Sequence, residues 1–136
     1  MKIKIIKFDE DLKLPERGHY DDAGLDIFMP NDGMIIPGET KIVSTGIGLE
    51  LPTGTMGYMQ VRTSLAKKGL ILSQCAIDSG YRGEIKMILH NISTEIIEWK
   101  KDDRLANLIV INILLPDLVE DLGELRNDNA FGSTGK

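Results

Sequence analysis

Apolar side chains recur at every second position over short stretches: Ile3/Ile5, Ile85/Met87/Leu89, and Leu105/Ile109/Ile111/Ile113 with Asn107 set among them. Period two places alternate side chains on one face of an extended chain, so each stretch predicts a β-strand. Turn formers separate them at Asn31-Asp32-Gly33, Pro37-Gly38, Pro52-Thr53-Gly54, Ser79-Gly80 and Asn91-Ile92-Ser93. Many short strands with turns at such intervals predict an all-β sandwich or barrel. Only Ser64-Leu65-Ala66-Lys67-Lys68 before Gly69 has helical character, with Ser64 as N-cap and the glycine as stop. Leu105 to Leu115 is apolar at nearly every position, which predicts that both faces of that strand are covered, with a partner subunit as one cover.

From about Leu125 the strand pattern stops, and within 126–136 one large apolar residue, Phe131, stands among glycines and hydroxyls. The 136 residues therefore predict one domain over 1–124 and a tail over 125–136, either a frayed terminus or an arm that closes over a ligand. Lys2, Lys4 and Lys7 interrupt the opening isoleucines and no long apolar run follows, so a cytoplasmic protein with no membrane contact is expected. Cys75 is the one cysteine, too few for a disulfide or a zinc site, and is either a small buried side chain or a reactive thiol. A net charge of −5 without a broad basic cluster disfavours nucleic acid as a partner. A small anion is still admitted, because a few arginines or one divalent cation can outweigh the global charge.

Polar residues concentrate in Ala76-Ile77-Asp78-Ser79-Gly80-Tyr81-Arg82-Gly83-Glu84, just before the strand at Ile85. This reads as a tight hairpin with Asp78 and Tyr81 flanking its tip, either an ordinary charged turn or a carboxylate and an aromatic face aimed into one cavity. Arg62-Thr63-Ser64 joins a guanidinium to two hydroxyls where a strand meets the short helix. That set suits a phosphate, and equally an exposed cap. Asp22-Ala23-Gly24-Leu25-Asp26 puts a carboxylate on an early strand, and Asp103-Arg104-Leu105-Ala106-Asn107 puts an ion pair and an amide at a strand start. Polar–apolar alternation alone would account for either.

In order, these segments resemble one family, the trimeric deoxyuridine triphosphatases. The resemblance rests on Ala23-Gly24-Leu25-Asp26, Arg62-Thr63-Ser64-Leu65-Ala66, Ile77-Asp78-Ser79-Gly80-Tyr81-Arg82-Gly83, Asp103-Arg104-Leu105-Ala106-Asn107-Leu108, and Arg126 with Phe131-Gly132-Ser133-Thr134-Gly135. It spans essentially the whole chain, and ordered agreement of several motifs is far more specific than any one of them.

The resemblance implies a distorted, jelly-roll-like β-sandwich, assembled as a homotrimer with active sites shared between subunits. It implies hydrolysis of dUTP to dUMP and pyrophosphate, keeping uracil out of DNA and supplying dUMP. Asp78 would activate the water that attacks the α-phosphorus, and Mg2+ on the triphosphate would be held through water by Asp26. Substrate would be bound by Arg62, Thr63, Ser64, Lys86 and Asn107, by Ala76, Ile77, Asp78 and Tyr81 around the uracil and sugar, and by Arg126, Phe131, Gly132, Ser133 and Thr134 of an arm from another subunit. Backbone groups from Ala76 to Asp78 would match uracil and oppose cytosine, and Tyr81 beneath the deoxyribose would leave no space for a 2′-hydroxyl.

The sequence departs from the family pattern at Thr63 in place of serine, Asn107 in place of glutamine, and Cys75 in place of glycine. Asn107 is one methylene shorter, and Cys75 narrows the backbone angles open to its neighbours. Asn127, Asn129 and Ala130 stand where glycines are usual, which predicts a stiffer arm that keeps its activity. A dCTP deaminase of related fold would need a glutamate where Ile88 stands and would lack the arm. A non-catalytic regulator would need a partner surface, and no large insertion offers one, whereas Asp78, Tyr81, Arg126 and Phe131 are all retained.

Overall fold

The computed structural model describes residues 1–74, 76–121 and 123. Cys75 and the tail residues Arg126, Asn127, Asn129, Ala130, Phe131, Gly132, Ser133 and Thr134 lie outside the described residues, as does the boundary drawn at 124/125. Within the described residues the chain forms β1 (Lys4–Lys7), β2 (Leu25–Phe28), β3 (Gly33–Ile35), β4 (Thr40–Ser44), β5 (Ile47–Glu50), β6 (Thr55–Val61), α1 (Thr63–Ala66), β7 (Leu70–Ser73), β8 (Ala76–Ile77), β9 (Lys86–Asn91), β10 (Ile97–Trp99) and β11 (Arg104–Asn112). The all-β expectation holds.

Two larger sheets face each other, one ordered β2-β11-β6-β8 and the other β4-β9-β7, flanked by the pairs β1-β5 and β10-β3. Among the described residues every pairing is antiparallel, yet no strand pairs with its neighbour in sequence. The chain thus crosses between sheets at turn after turn, which gives the sandwich its jelly-roll-like character.

This crossing corrects the hairpin expected at 76–84. β8 pairs with β6, through Gly57↔Ile77 and Tyr58↔Ala76, while β9 lies between β4 and β7 in the opposite sheet. The turn is real, but its two flanks belong to different sheets. Burial chooses the partner: Ile77 packs on Gly57, where an added Cβ would meet the Ile77 Cβ at 3.2 Å.

The core forms where alternation is strictest. β9 buries Met87, Leu89 and Asn91 on one face and turns Lys86, Ile88 and His90 outward. Met87 and Leu89 join Ile27, Met29, Ile35, Ile47, Leu70 and Leu108, none of them more than 2% exposed. Asn91 is buried without being orphaned. Its Nδ2 donates to Ile35 O at 2.9 Å and Glu95 O at 2.8 Å, and its Oδ1 accepts from Ser93 N at 2.9 Å. On the outer face His90 ties β9 to both neighbours, hydrogen-bonded to Thr40 Oγ1 and Ser73 Oγ at 2.8 Å each.

Three local expectations are revised. The helix runs Thr63–Ala66 with Arg62 at the N-cap and no side-chain cap bond, rather than starting at Ser64. Arg62 N still donates to Leu105 O at 2.9 Å, so the strand-like backbone persists to Arg62 and the helix turns immediately after it. Gly69, at φ +99°, stops it as expected. β11 ends at Asn112, and its core-facing set is Ala106, Leu108 and Val110, with Leu105 also turned inward by a bulge between Arg104 and Ala106. Among the described residues its other face is only partly covered: Asn107 and Ile109 are half-buried, Ile111 is 39% exposed, and beyond the strand Leu114 is 91% exposed.

Leu89, fully buried at the centre of the three-stranded sheet, is the sharpest test of this packing. Leu89→Ala should lower unfolding free energy by about 2–5 kcal/mol, read as a lower denaturant midpoint at unchanged m-value.

Candidate functional site

After Ile77 the chain leaves the four-stranded sheet and turns: Asp78 O accepts the Tyr81 N–H at 3.1 Å. It enters the opposite sheet at Ile85, whose N–H donates to Ile47 O at 2.8 Å and whose carbonyl accepts from Thr45 N at 3.1 Å. Where the sheets part, an open cavity of about 250 Å³ remains, with Asp78, Tyr81, Ala76, Ile77 and Lys86 all on its wall. Met59, Leu72 and Met87 give it apolar surface. Five of the site residues proposed from sequence therefore converge on one cavity.

The Tyr81 ring is held by its own loop. Its hydroxyl donates to Glu84 O at 2.7 Å, and Arg82 Nη1 donates to Ser79 O and, at 3.3 Å, to Tyr81 O. Asp78 is exposed, with its carboxylate open to an incoming molecule.

A second polar group lies on the outward face of the four-stranded sheet. Asn107 on β11 stands between Asp26 on β2 and Gln60 on β6 in the ladder register. Asp26 Oδ2 lies 3.2 Å from Arg104 Nη1. The ion pair anticipated within Asp103-Arg104 thus forms instead across strands, since consecutive strand residues point to opposite faces; Asp103 Oδ2 accepts from Lys100 N at 2.8 Å. Arg62 reaches the same edge, with Nη1 donating to Arg104 O at 3.4 Å, and Thr63 and Ser64 are exposed beside it.

Asn107 Oδ1 is buried and has no hydrogen-bond partner among the described residues. Gly24 makes room for this amide, because a Cβ there would sit 3.0 Å from Asn107 Cγ. A buried acceptor left unpaired marks a place where a donor from outside the described chain would be stabilising.

The chain keeps the two groups apart. None of Arg62, Thr63, Ser64, Asn107 or Asp26 lines the cavity that holds Asp78 and Tyr81. Sequence reasoning missed Gln74, which lines that cavity at φ +57°. For a residue other than glycine this conformation costs roughly 1–2 kcal/mol, and glutamine carries no turn signal that would have revealed it. It also missed Glu84 as an anchor, whose Oε1 accepts from Gly46 N at 3.2 Å.

Asp26 is a hard oxygen donor with its side chain 18% exposed, suited to an ion that arrives with phosphate oxygens and keeps its own waters. Among the described residues no group of three or more His, Cys, Asp or Glu side chains is placed to hold a metal, and no helix is long and apolar enough to cross a membrane.

The family model described as dUTPase matches residues 10–135. The deoxyuridine 5′-triphosphate nucleotidohydrolase of Corynebacterium glutamicum is 43% identical, over 98% of this chain and 95% of that protein. Its counterpart from Trichodesmium erythraeum is 39% identical, over 99% of each. Among solved structures, the dUTPase of Staphylococcus bacteriophage 80alpha superposes with a TM-score of 0.84 at 21% identity, covering 92% of this chain and 99% of that one. The dUTPase of phage phi11 of S. aureus gives 0.82 at 23% identity, covering 90% and 98%. Those two share the fold. With the family model spanning nearly every residue and the relatives aligned end to end, this chain belongs to the dUTPase family.

Proposed function

We propose that this protein hydrolyses dUTP to dUMP and pyrophosphate in the cytoplasm, at sites that three copies of the chain build together. The observation that carries the reading is the convergence of Asp78 and Tyr81 on one cavity beside the edge strand β8. Among the described residues β8 pairs only with β6, so its far side offers backbone groups to a pyrimidine edge. Uracil satisfies them, while cytosine reverses donor and acceptor and leaves buried groups unpaired at about 1–3 kcal/mol each. The Tyr81 ring lies under the sugar, where a 2′-hydroxyl has no space.

The Asp78 carboxylate takes a proton from water as its oxygen forms a bond to the α-phosphorus. The bond from that phosphorus to the oxygen bridging to the β-phosphorus breaks, and pyrophosphate leaves. Arg62, Thr63, Ser64 and Asn107 bind the phosphates, Lys86 binds at the cavity wall, and Asn107 Oδ1 accepts from a bound water or hydroxyl. Asp26 would hold Mg2+ through water, and the ion would supply charge neutralisation to the triphosphate. A mutant dUTPase of phage phi11 coordinates a structural Mg(II) ion, which supports magnesium as a cation this fold can hold. Residues 125–136 act as an arm on a neighbouring subunit, with Phe131 over the base and Arg126, Gly132, Ser133 and Thr134 on the phosphates, excluding water once closed.

A shared site accounts for two otherwise separate features. The phosphate-side residues and the base-side cavity lie apart on one chain and are complementary between chains. Leu114, Leu115, Leu118 and Val119 stand 91%, 65%, 94% and 88% exposed, a run of apolar surface that a second copy covers.

Asp78→Asn should reduce pyrophosphate release from dUTP by about 10²–10⁴-fold, with dCTP and UTP as poor substrates of the unaltered protein and chelation by EDTA reversed by added magnesium. Near-unaltered turnover in the variant would remove Asp78 from the mechanism. In solution the protein should size as a trimer, and a monomer with full activity would refute the shared site. A chain ending at Leu125 should bind the fold's partners normally yet turn over dUTP far more slowly; unchanged turnover would exclude the arm.

A further inference from the structure

The loop that presents Tyr81 is braced from behind by two glycines, and the close approaches there are one-sided. A Cβ built on Gly83 would lie 2.6 Å from the Tyr81 hydroxyl oxygen and 2.8 Å from Cζ, with no backbone atom among its nearest contacts. Gly83 does not have a positive φ, so alanine suits its backbone and only the ring would have to move. The Tyr81 hydroxyl meanwhile donates to Glu84 O at 2.7 Å, and Glu84 Oε1 accepts from Gly46 N at 3.2 Å. Behind the loop, a Cβ on Gly48 of β5 would come within 2.7 Å of Gly83 O and 3.3 Å of Arg82 O, so the loop backbone lies flat against that strand. Ring, loop and strand form one stack.

We infer that Gly83 is a positioning residue for sugar selection: its missing side chain lets the Tyr81 ring fold back onto Glu84 O, and this fixed ring height is what separates a 2′-deoxy sugar from a ribose. The inference rests on the placement of Tyr81 beneath the sugar proposed above. Tyrosine alone does not select, since an exposed ring free to swing away would admit a hydroxyl at small cost. Selectivity requires that the ring cannot retreat, and Gly83, Glu84 and Gly48 together decide where it rests.

The test measures kcat/KM for dUTP and UTP on the full chain carrying Gly83→Ala, Tyr81→Phe, Tyr81→Ala, and the double change Gly83→Ala with Tyr81→Ala. Gly83→Ala should lower the dUTP:UTP ratio by about tenfold or more, because a shift near 1 Å at a positioned group carries costs of this order. Tyr81→Phe, which keeps the ring and cuts only the tether to Glu84 O, should move the ratio the same way by less, and it carries the test if Gly83→Ala does not fold. In the Tyr81→Ala background the Gly83 change should have no further effect on the ratio, as coupled residues do in a double-mutant cycle. Nuclear Overhauser contacts between the Tyr81 ring and residue 83 should change in Gly83→Ala while the melting temperature holds.

If Tyr81→Ala collapses the ratio but Gly83→Ala and Tyr81→Phe leave it intact, the positioning inference is wrong and the sugar role of Tyr81 survives. If the Gly83 change costs the same whether or not Tyr81 is present, Gly83 acts through general stability and the inference is again wrong. If Tyr81→Ala itself leaves the ratio unchanged, the reading of Tyr81 under the sugar fails, and this inference with it.

Discussion

Ile85 ties the loop that carries Asp78 and Tyr81 to the turn between β4 and β5, and the position of both residues follows from it. Its N–H donates to Ile47 O at 2.8 Å, while its carbonyl takes both Thr45 N at 3.1 Å and Thr45 Oγ1 at 2.6 Å. Thr45 is fully buried and Ile85 nearly so, leaving these groups no water to turn to. The chain must therefore cross between sheets at this point, with a loop just long enough to leave β8 on one side and enter β9 on the other. The cavity is the gap that this crossing props open.

The other polar group sets cationic side chains around one carboxylate. Arg104 pairs with the Asp26 carboxylate, Arg62 Nη1 donates to Arg104 O, and Thr63 and Ser64 are exposed beside Arg62. The Asp26–Arg104 contact is only partly buried, so solvent screens it and it adds little stability. Its effect is directional: it fixes the carboxylate and the guanidinium relative to each other, as the proposed phosphate and cation binding requires. The Asn107 oxygen beside them is buried with no hydrogen-bond partner among the described residues, which is a cost to the folded chain.

The same incompleteness is written in apolar surface. β11 turns Ala106, Leu108 and Val110 inward and leaves Ile111 open, and the segment beyond it exposes a succession of leucines. In a dUTPase-family chain with base-side and phosphate-side residues held apart, the proposed association serves folding and chemistry at once. Covering the leucines would be favourable by itself, and in the proposed trimer it would bring the two halves of the proposed site together.

How much of this was legible in the sequence depends on the range of the interaction concerned. Period two in 85–89 and the turn formers between strands marked extended chain and its breaks, because those depend on side chains a few residues apart. The ordered motifs identified the family and named Asp78, Tyr81, Ala76, Ile77 and Lys86, which do share a cavity. Partner choice was not legible: β8 joins β6 rather than β9, and Arg104 pairs with Asp26 rather than Asp103, since packing across the sandwich selects among strands that look alike locally. Nor was the strain at Gln74 or the room beside Gly83, which exist only once loop and sheet have met. Local chemistry thus determined the elements and the cast of residues, whereas contacts between residues remote in sequence decided which of them stand together, because burial rewards only the arrangement in which both sheets close over one core.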